Sequence, residues 1–434
     1  MLYQQLQKRE AEGNPIKVGA SAIEWMGSGL LAAFAHVPGM EVSVVANQDV
    51  DEGIDALAAA GTPRDEILAT DHKAEIEDAV RRGKRVVTAN PRLLAQIEAL
   101  DIVTDSTWSP AIGAEVAEAC IQHEKDVVLV NIEADVTVGH ILKKKAAEAG
   151  VLYSVSSGDE PGCLMELYDF VKSLGYEVIT IGKGKNNPLD TTATPETVAD
   201  SAAKAGKDPV QVASYVDGTK TMFEMTCAAN ATGCRPMQRG MIGPEATLET
   251  VSEIFALQED GGISQFPGNI DFVQGPSMSG GVFVTVRVED DRIRDDLNYL
   301  KVGSGKYFTF FRPYHLWFLE APISIARAYI DKQIWLEPLD APVADVMTVA
   351  KKDLKAGEEL GRFGGFTHYG VMDLADKAWE LNALPVGLSP GAKIVQPVEA
   401  GQVITWEDVN LDEESAVVKL RRQQDEVIHN HSLG

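Results

Sequence analysis

Residues 16–27 read Ile-Lys-Val-Gly-Ala-Ser-Ala-Ile-Glu-Trp-Met-Gly, a β-branched apolar run passing through small residues into a helix-forming segment. A dinucleotide site needs such a turn, because glycines there let a pyrophosphate approach the backbone N–H groups that open the next helix. Laid on the pattern G-x-G-x-x-G, the turn keeps only its third glycine, Gly27. Ala22 takes the first position and Glu24 the second, where a carboxylate would crowd and repel phosphate. Trp25 and Met26 complete the turn, so Ala22, Glu24, Trp25, Met26 and Gly27 are the candidate cofactor contacts of this stretch.

Outward from this stretch the strand–helix alternation continues through the first third of the chain. Ile16 to Gly19, Glu41 to Ala46, Arg85 to Ala89, Ile102 to Asp105, Val127 to Asn131 and Val151 to Val155 read as strands. Ala-rich segments of helical period, such as Ile112 to His123 and Thr137 to Ala149, separate them. This spacing predicts an α/β class with a doubly wound, Rossmann-like parallel sheet over residues 1–155. The second strand runs into Asn47, where an acidic residue would usually hold the ribose 2′-hydroxyl. An uncharged side chain there suits NADP, with NAD as the alternative. Ser106, Thr107 and Asn131 follow later strands and join the candidate cofactor contacts.

The alternation loosens over residues 156–335, where helical stretches precede a Gly-rich strand pattern and an aromatic run, the mark of α+β material. Over residues 336–434, Asp353-Leu-Lys-Ala-Gly-Glu-Glu-Leu is echoed by Pro397-Val-Glu-Ala-Gly-Gln-Val-Ile-Thr, a weak two-fold repeat of short strands. That pattern resembles the SAF fold, a small β-clip domain.

Composition excludes several classes. With 39 Lys plus Arg against 65 Asp plus Glu, the formal charge is −26, which argues against nucleic-acid binding through a cationic face. No apolar run is long enough to span a bilayer, and the charged first residues do not read as a secretory signal. The four cysteines, at 120, 163, 227 and 234, form no C-x-x-C pair and suit a reducing cytoplasm.

Five segments carry the chemistry-bearing residues. Asn131-Ile-Glu133-Ala-Asp135 and Ser157-Gly-Asp159-Glu160 follow strands, where open α/β sheets bind their ligands. Glu133, Asp135, Asp159 and Glu160 would act as acids and bases or hold a divalent cation. In Asp217-Gly-Thr-Lys220, Lys220 lies four residues before Glu224, so the two share a helical face amid apolar neighbours. A half-buried lysine there would polarise a substrate oxygen. Arg312-Pro-Tyr-His315 suits a phosphate or carboxylate, and Gly182-Lys-Gly-Lys185 reads as a cationic loop after a strand.

Together these motifs resemble the homoserine dehydrogenase-like oxidoreductases that carry a C-terminal SAF domain, and among them the 1-deoxy-D-xylulose-5-phosphate reductoisomerase-like enzymes. The resemblance implies a central catalytic and dimerisation domain, a nicotinamide cofactor, and a homodimer acting on a phosphorylated or carboxylated small molecule. On that pattern Lys220 would polarise the carbonyl, with Glu224 tuning it. Lys185, Arg312 and His315 would hold the phosphate or a second substrate oxygen. The homoserine dehydrogenase pair of Asp and Lys is reversed here as Lys220 and Glu224. Alternatives are a homoserine dehydrogenase-like reaction, oxidoisomerisation of a sugar acid, or a redox-silent isomerase or lyase.

Overall fold

The computed structural model describes residues 1–21 and 24–432, without the side chains of 24–26 and 429–432. The chain divides into two compact units, one formed by residues 1–159, 316–340 and 414–434 and the other by 160–315 and 341–413. Each unit thus draws on stretches of chain that are separated in sequence.

The first unit is built on seven parallel strands: β1 (Ile16–Ser21), β2 (Met40–Ala46), β3 (Ile67–Ala69), β4 (Arg85–Thr88), β5 (Ile102–Asp105), β6 (Val127–Leu129) and β7 (Tyr153–Val155). They lie in the order β3-β4-β2-β1-β5-β6-β7, the α/β arrangement expected from the alternation, with β3 as an unforeseen edge strand. Helices cover both faces, so β1 and β2 are almost wholly buried and are mostly apolar, with Lys17 and Glu41 the partly exposed exceptions. Val18, Leu30, Phe34, Val45, Phe318 and Ile325 share one core. β2 follows β1 on one side, and the chain later crosses back from β4 to lay β5 on the other, so the crevice outside the carboxyl ends of β1 and β5 is the natural ligand position.

One expected loop is a helix. The Ile132–Ala149 helix starts directly after Asn131, whose side chain accepts from Ala134 N at 3.0 Å, and Glu133 and Asp135 occupy its first turn. An Asn N-cap with carboxylates behind it satisfies the free N–H groups and complements the helix dipole. The Ser156–Asp159 segment is pinned within the same unit. Gly158 has φ +101°, and a Cβ there would lie 2.0 Å from the Trp317 carbonyl, so only glycine fits.

The second unit carries a six-stranded mixed sheet. Its strands are β8 (Glu177–Lys185), β9 (Arg235–Pro236), β10 (Asn269–Gln274), β11 (Val282–Arg287), β12 (Gly303–Ser304) and β13 (Tyr307–Arg312), in the order β12-β13-β11-β8-β10-β9. β8 runs antiparallel to β11 and parallel to β10. Gly182-Lys-Gly-Lys185, expected as a loop, is the final stretch of this central strand. Its period of two puts the glycines on one face and the lysines on the other. A Cβ on Gly184 would sit 1.7 Å from the Met278 carbonyl, so the glycine face admits a tightly apposed backbone. The lysine face meets the Glu160–Ser173 and Thr219–Thr232 helices.

Within residues 341–413, β14 (Ala344–Ala350) and β15 (His368–Leu374) pair antiparallel. The two repeat copies bind each other reciprocally. Leu354 N donates to Val398 O at 2.8 Å and Val398 N to Leu354 O at 3.1 Å, between equivalent positions of the two copies. Gly357 N bonds Ile394 O at 2.7 Å, and its counterpart Gly401 N bonds Ala350 O at 2.8 Å. The repeat is thus a pseudo-two-fold structure. The Ala416–Ser432 helix belongs to the first unit, where Gln424 Oε1 accepts from Ile141 N at 3.1 Å. Among the described residues no helix is long and apolar enough to cross a membrane.

Candidate active site

In the second unit, Lys183 projects from β8 between two buried carboxylates, Glu160 at the start of its helix and Glu224 on the Thr219–Thr232 helix, and hydrogen-bonds both. Burial alone would depress the Lys183 ammonium, but the two carboxylates outweigh it and raise the pKa above the ordinary lysine value. His315 completes the group. Its Nδ1 lies 2.9 Å from the Gly280 carbonyl, which can only accept, so Nδ1 carries a hydrogen and Nε2 turns toward Glu160 Oε2 at 3.5 Å. The arrangement holds a fixed cation, two carboxylates and an imidazole in one buried volume. That is the equipment for moving a proton to or from a substrate oxygen.

The expected residues distribute around this group unevenly. Glu160, Glu224 and His315 come together. Lys183, which sequence reasoning left inside a cationic loop, is the residue that joins them. Its signal was the alternation with Lys185 at the end of a β-branched run. Lys220 is half-buried in the first turn of the helix that carries Glu224. Lys185 donates to the carbonyls of Asn187 and Tyr215. Arg312 pairs with the exposed Glu166 at 3.0 Å and lies over the Tyr314 ring.

The helix bearing Lys220 and Glu224 is clamped at its start by the 341–413 segment. Lys351, with a 3% exposed side chain, donates to Asp217 Oδ2 at 2.8 Å, Ala193 O at 2.6 Å and Gly365 O at 2.9 Å. Asp217 in turn accepts from Thr219 N at 2.8 Å, and Thr219 Oγ1 accepts from Gly370 N at 2.9 Å. Burial pushes the Asp217 carboxyl up, against the pull of Lys351.

In the first unit, polar groups gather at the carboxyl ends of β1, β5 and β6. Ser106 N donates to Ser21 O at 2.8 Å. Asn131 Nδ2 donates to Asp105 Oδ2 at 2.9 Å and to Thr107 Oγ1 at 3.2 Å, while Thr107 Oγ1 donates to Asp105. Complete burial pushes the Asp105 carboxyl up to about 7 despite these donors. At the end of β2, Asn47 Nδ2 donates to Glu52 at 3.1 Å. Gly27 is buried within the Glu24–Phe34 helix. Ala22 lies outside the described residues, as do the side chains of Glu24, Trp25 and Met26.

Two of the four carboxylates expected around a cation have side-chain partners of their own in the first unit. Glu133 accepts from Trp108 Nε1 at 2.8 Å and Asp135 from the Tyr153 hydroxyl at 2.8 Å. Two positions apart on a helix, they face different neighbours. Among the described residues no close set of three potential metal ligands contains either one. Asp159 is the buried last residue of the first unit's opening segment.

No curated protein matches the chain. Among solved structures, a "probable dehydrogenase" from Thermotoga maritima is similar at 12% identity and TM-score 0.41, covering 73% of this chain and 90% of that one. The NAD complex of GenD2 from gentamicin A biosynthesis follows at 13% and 0.37, covering 76% and 89%. The 1-deoxy-D-xylulose 5-phosphate reductoisomerase of Zymomonas mobilis, in complex with NADPH, stands at 17% and 0.35, covering 50% and 57%. At these values none of the three bears on substrate. The informative match is to a family model, oxidoreductase DRL, catalytic domain, over residues 158–321. Less than half of the chain is matched, but that part takes in Glu160, Lys183, Lys185, Lys220, Glu224, Arg312 and His315. Over this span the chain is similar to the catalytic domain of the DRL oxidoreductases.

Proposed function

We propose that the protein is a nicotinamide-dependent oxidoreductase of a small oxygenated metabolite, and specifically a reductoisomerase. It would convert 1-deoxy-D-xylulose 5-phosphate to 2-C-methyl-D-erythritol 4-phosphate as a homodimer. The observation that carries this reading is the buried Glu160–Lys183–Glu224–His315 group lying inside the span matched to an oxidoreductase catalytic domain. The pseudo-two-fold repeat supports a SAF-like reading of residues 341–413.

The first unit fits a dinucleotide. Its parallel sheet has a switch point at β1 and β5, and polar side chains at Asn47, Ser106, Thr107 and Asn131 line the carboxyl edge. When bound, the nicotinamide supplies a hydride to the rearranged aldehyde. The chain's own residues do the rest. Lys220 polarises the ketone oxygen, and His315 with Glu160 takes the hydroxyl proton that the rearrangement releases. Glu224 keeps Lys183 charged, so the field at the reacting oxygens stays fixed. Arg312 meets the phosphate.

The cofactor preference expected from Asn47 changes once its neighbour is seen. The Glu52 carboxylate bonded to Asn47 puts a negative charge at the ribose end, which favours ribose hydroxyls over a 2′-phosphate. NADH is therefore proposed to serve at least as well as NADPH. Glu52→Gln should lower the KM for NADPH roughly fivefold, about 1 kcal/mol for one near-surface charge. Nicotinamide oxidation with 1-deoxy-D-xylulose 5-phosphate tests the whole reading. Consumption of the substrate without oxidation of either nucleotide would point instead to a redox-silent isomerase.

A further inference from the structure

Lys185 lies two residues beyond Lys183 on the same face of β8, yet it keeps different company. Its side chain is buried, and Nζ donates to two backbone carbonyls, Asn187 at 2.8 Å and Tyr215 at 2.7 Å. Among the described residues no carboxylate pairs with it. Lys183 has two carboxylates, and Lys351 has three acceptors that include one. An ammonium offers three hydrogens, whereas a neutral amine offers two and a lone pair. Two carbonyl acceptors without a counterion are the surroundings a neutral amine needs.

Access comes from a cleft of about 660 Å³ at the carboxyl ends of the parallel strands β8 and β10. Lys185 lines it together with Asn186, Asn187, Thr250, Gln274 and Ser279. Their amides and hydroxyls suit a polyhydroxylated chain rather than an apolar one.

We propose that Lys185 is a nucleophilic amine that forms an imine with a small hydroxylated aldehyde or ketone bound in this cleft. The Nζ lone pair attacks the carbonyl carbon, the carbon–oxygen bond breaks, and the oxygen leaves as water with both amine hydrogens. Nothing is oxidised or reduced. The charged groups facing Lys185 are Lys183 on its own strand, Glu224 on the Thr219–Thr232 helix and Asp217 at the end of the Pro209–Val216 helix. Burial and Lys183 push its pKa down to about 8, and the two carboxylates oppose them only in part.

The site does not depend on hydride transfer, so its test is separate. The full-length protein is treated with glycolaldehyde and sodium cyanoborohydride across a pH series, and adducts are located by peptide mass mapping. Lys185 is expected to be alkylated ahead of the exposed Lys8, with a rate that rises through a midpoint near pH 8. Lys185→Arg should remove that adduct alone. The proposal is overturned if Lys8 is labelled while Lys185 is not. It is equally overturned if Lys185 labelling rises only near the ordinary lysine pKa, about 10.

Discussion

Lys183→Met is expected to lower the stability of the second unit by about 3–5 kcal/mol, because it leaves two buried carboxylates without their cation. Urea unfolding followed by circular dichroism reads the loss. Protein that still folds should turn over at least about a hundredfold more slowly, since the proton-handling group has lost its fixed charge. Adding Glu224→Gln to Lys183→Met removes one stranded charge, so stability should recover in part while activity does not. The pH dependence follows from the raised Lys183 pKa. Its stabilisation is fully present below the unfolded value of 10.5 and is lost only as pH climbs through the higher folded value. The part of the stability gap between wild type and Lys183→Met that the lysine's own ionisation supplies should therefore be lost only in strong alkali.

The second large effect is expected at a residue distant in sequence from the proton-handling group. Lys351→Met strips Asp217 of its ion-pair partner in a site where both side chains are nearly inaccessible, again costing about 3–5 kcal/mol. Asp217→Asn in the same chain removes the stranded charge and should restore most of that loss. The helix that Asp217 and Thr219 anchor carries Lys220 and Glu224. Hydrogen exchange in its first turn should accordingly accelerate in Lys351→Met, and less in the double variant. Equal exchange in all three proteins would show that the clamp does not hold this helix.

What could be read from the chain follows the range of the forces involved. β1, β2 and β5 were legible because strands buried on both faces are dominated by apolar residues, a constraint written locally into Val18, Val44–Ala46 and Ile102–Val103. The Asn131–Asp135 stretch resembles a loop in sequence because an N-cap and an acidic first turn use the same residue types as a binding loop. Gly182–Lys185 looked like a turn for a related reason. Gly182 answers to the backbone at Asp271, Gly184 to that at Met278, and Lys183 to Glu160 and Glu224, all remote in sequence. Helical spacing likewise put Lys220 and Glu224 on one face, but it carried no sign that Glu224 would reach a strand lysine. Pairings of this kind are set by tertiary packing and leave no mark on local periodicity.

The central claim is that the carboxylate–lysine–histidine group of the second unit does the proton work of a nicotinamide-dependent reaction. Single-turnover oxidation of NADH and NADPH with 1-deoxy-D-xylulose 5-phosphate, compared between wild type and Glu224→Gln, tests it most directly. Oxidation by the wild type is expected, with a rate at least about a hundredfold lower in the variant and nucleotide affinity unchanged. Equal rates in the two proteins, or no nucleotide oxidation by the wild type, would contradict it.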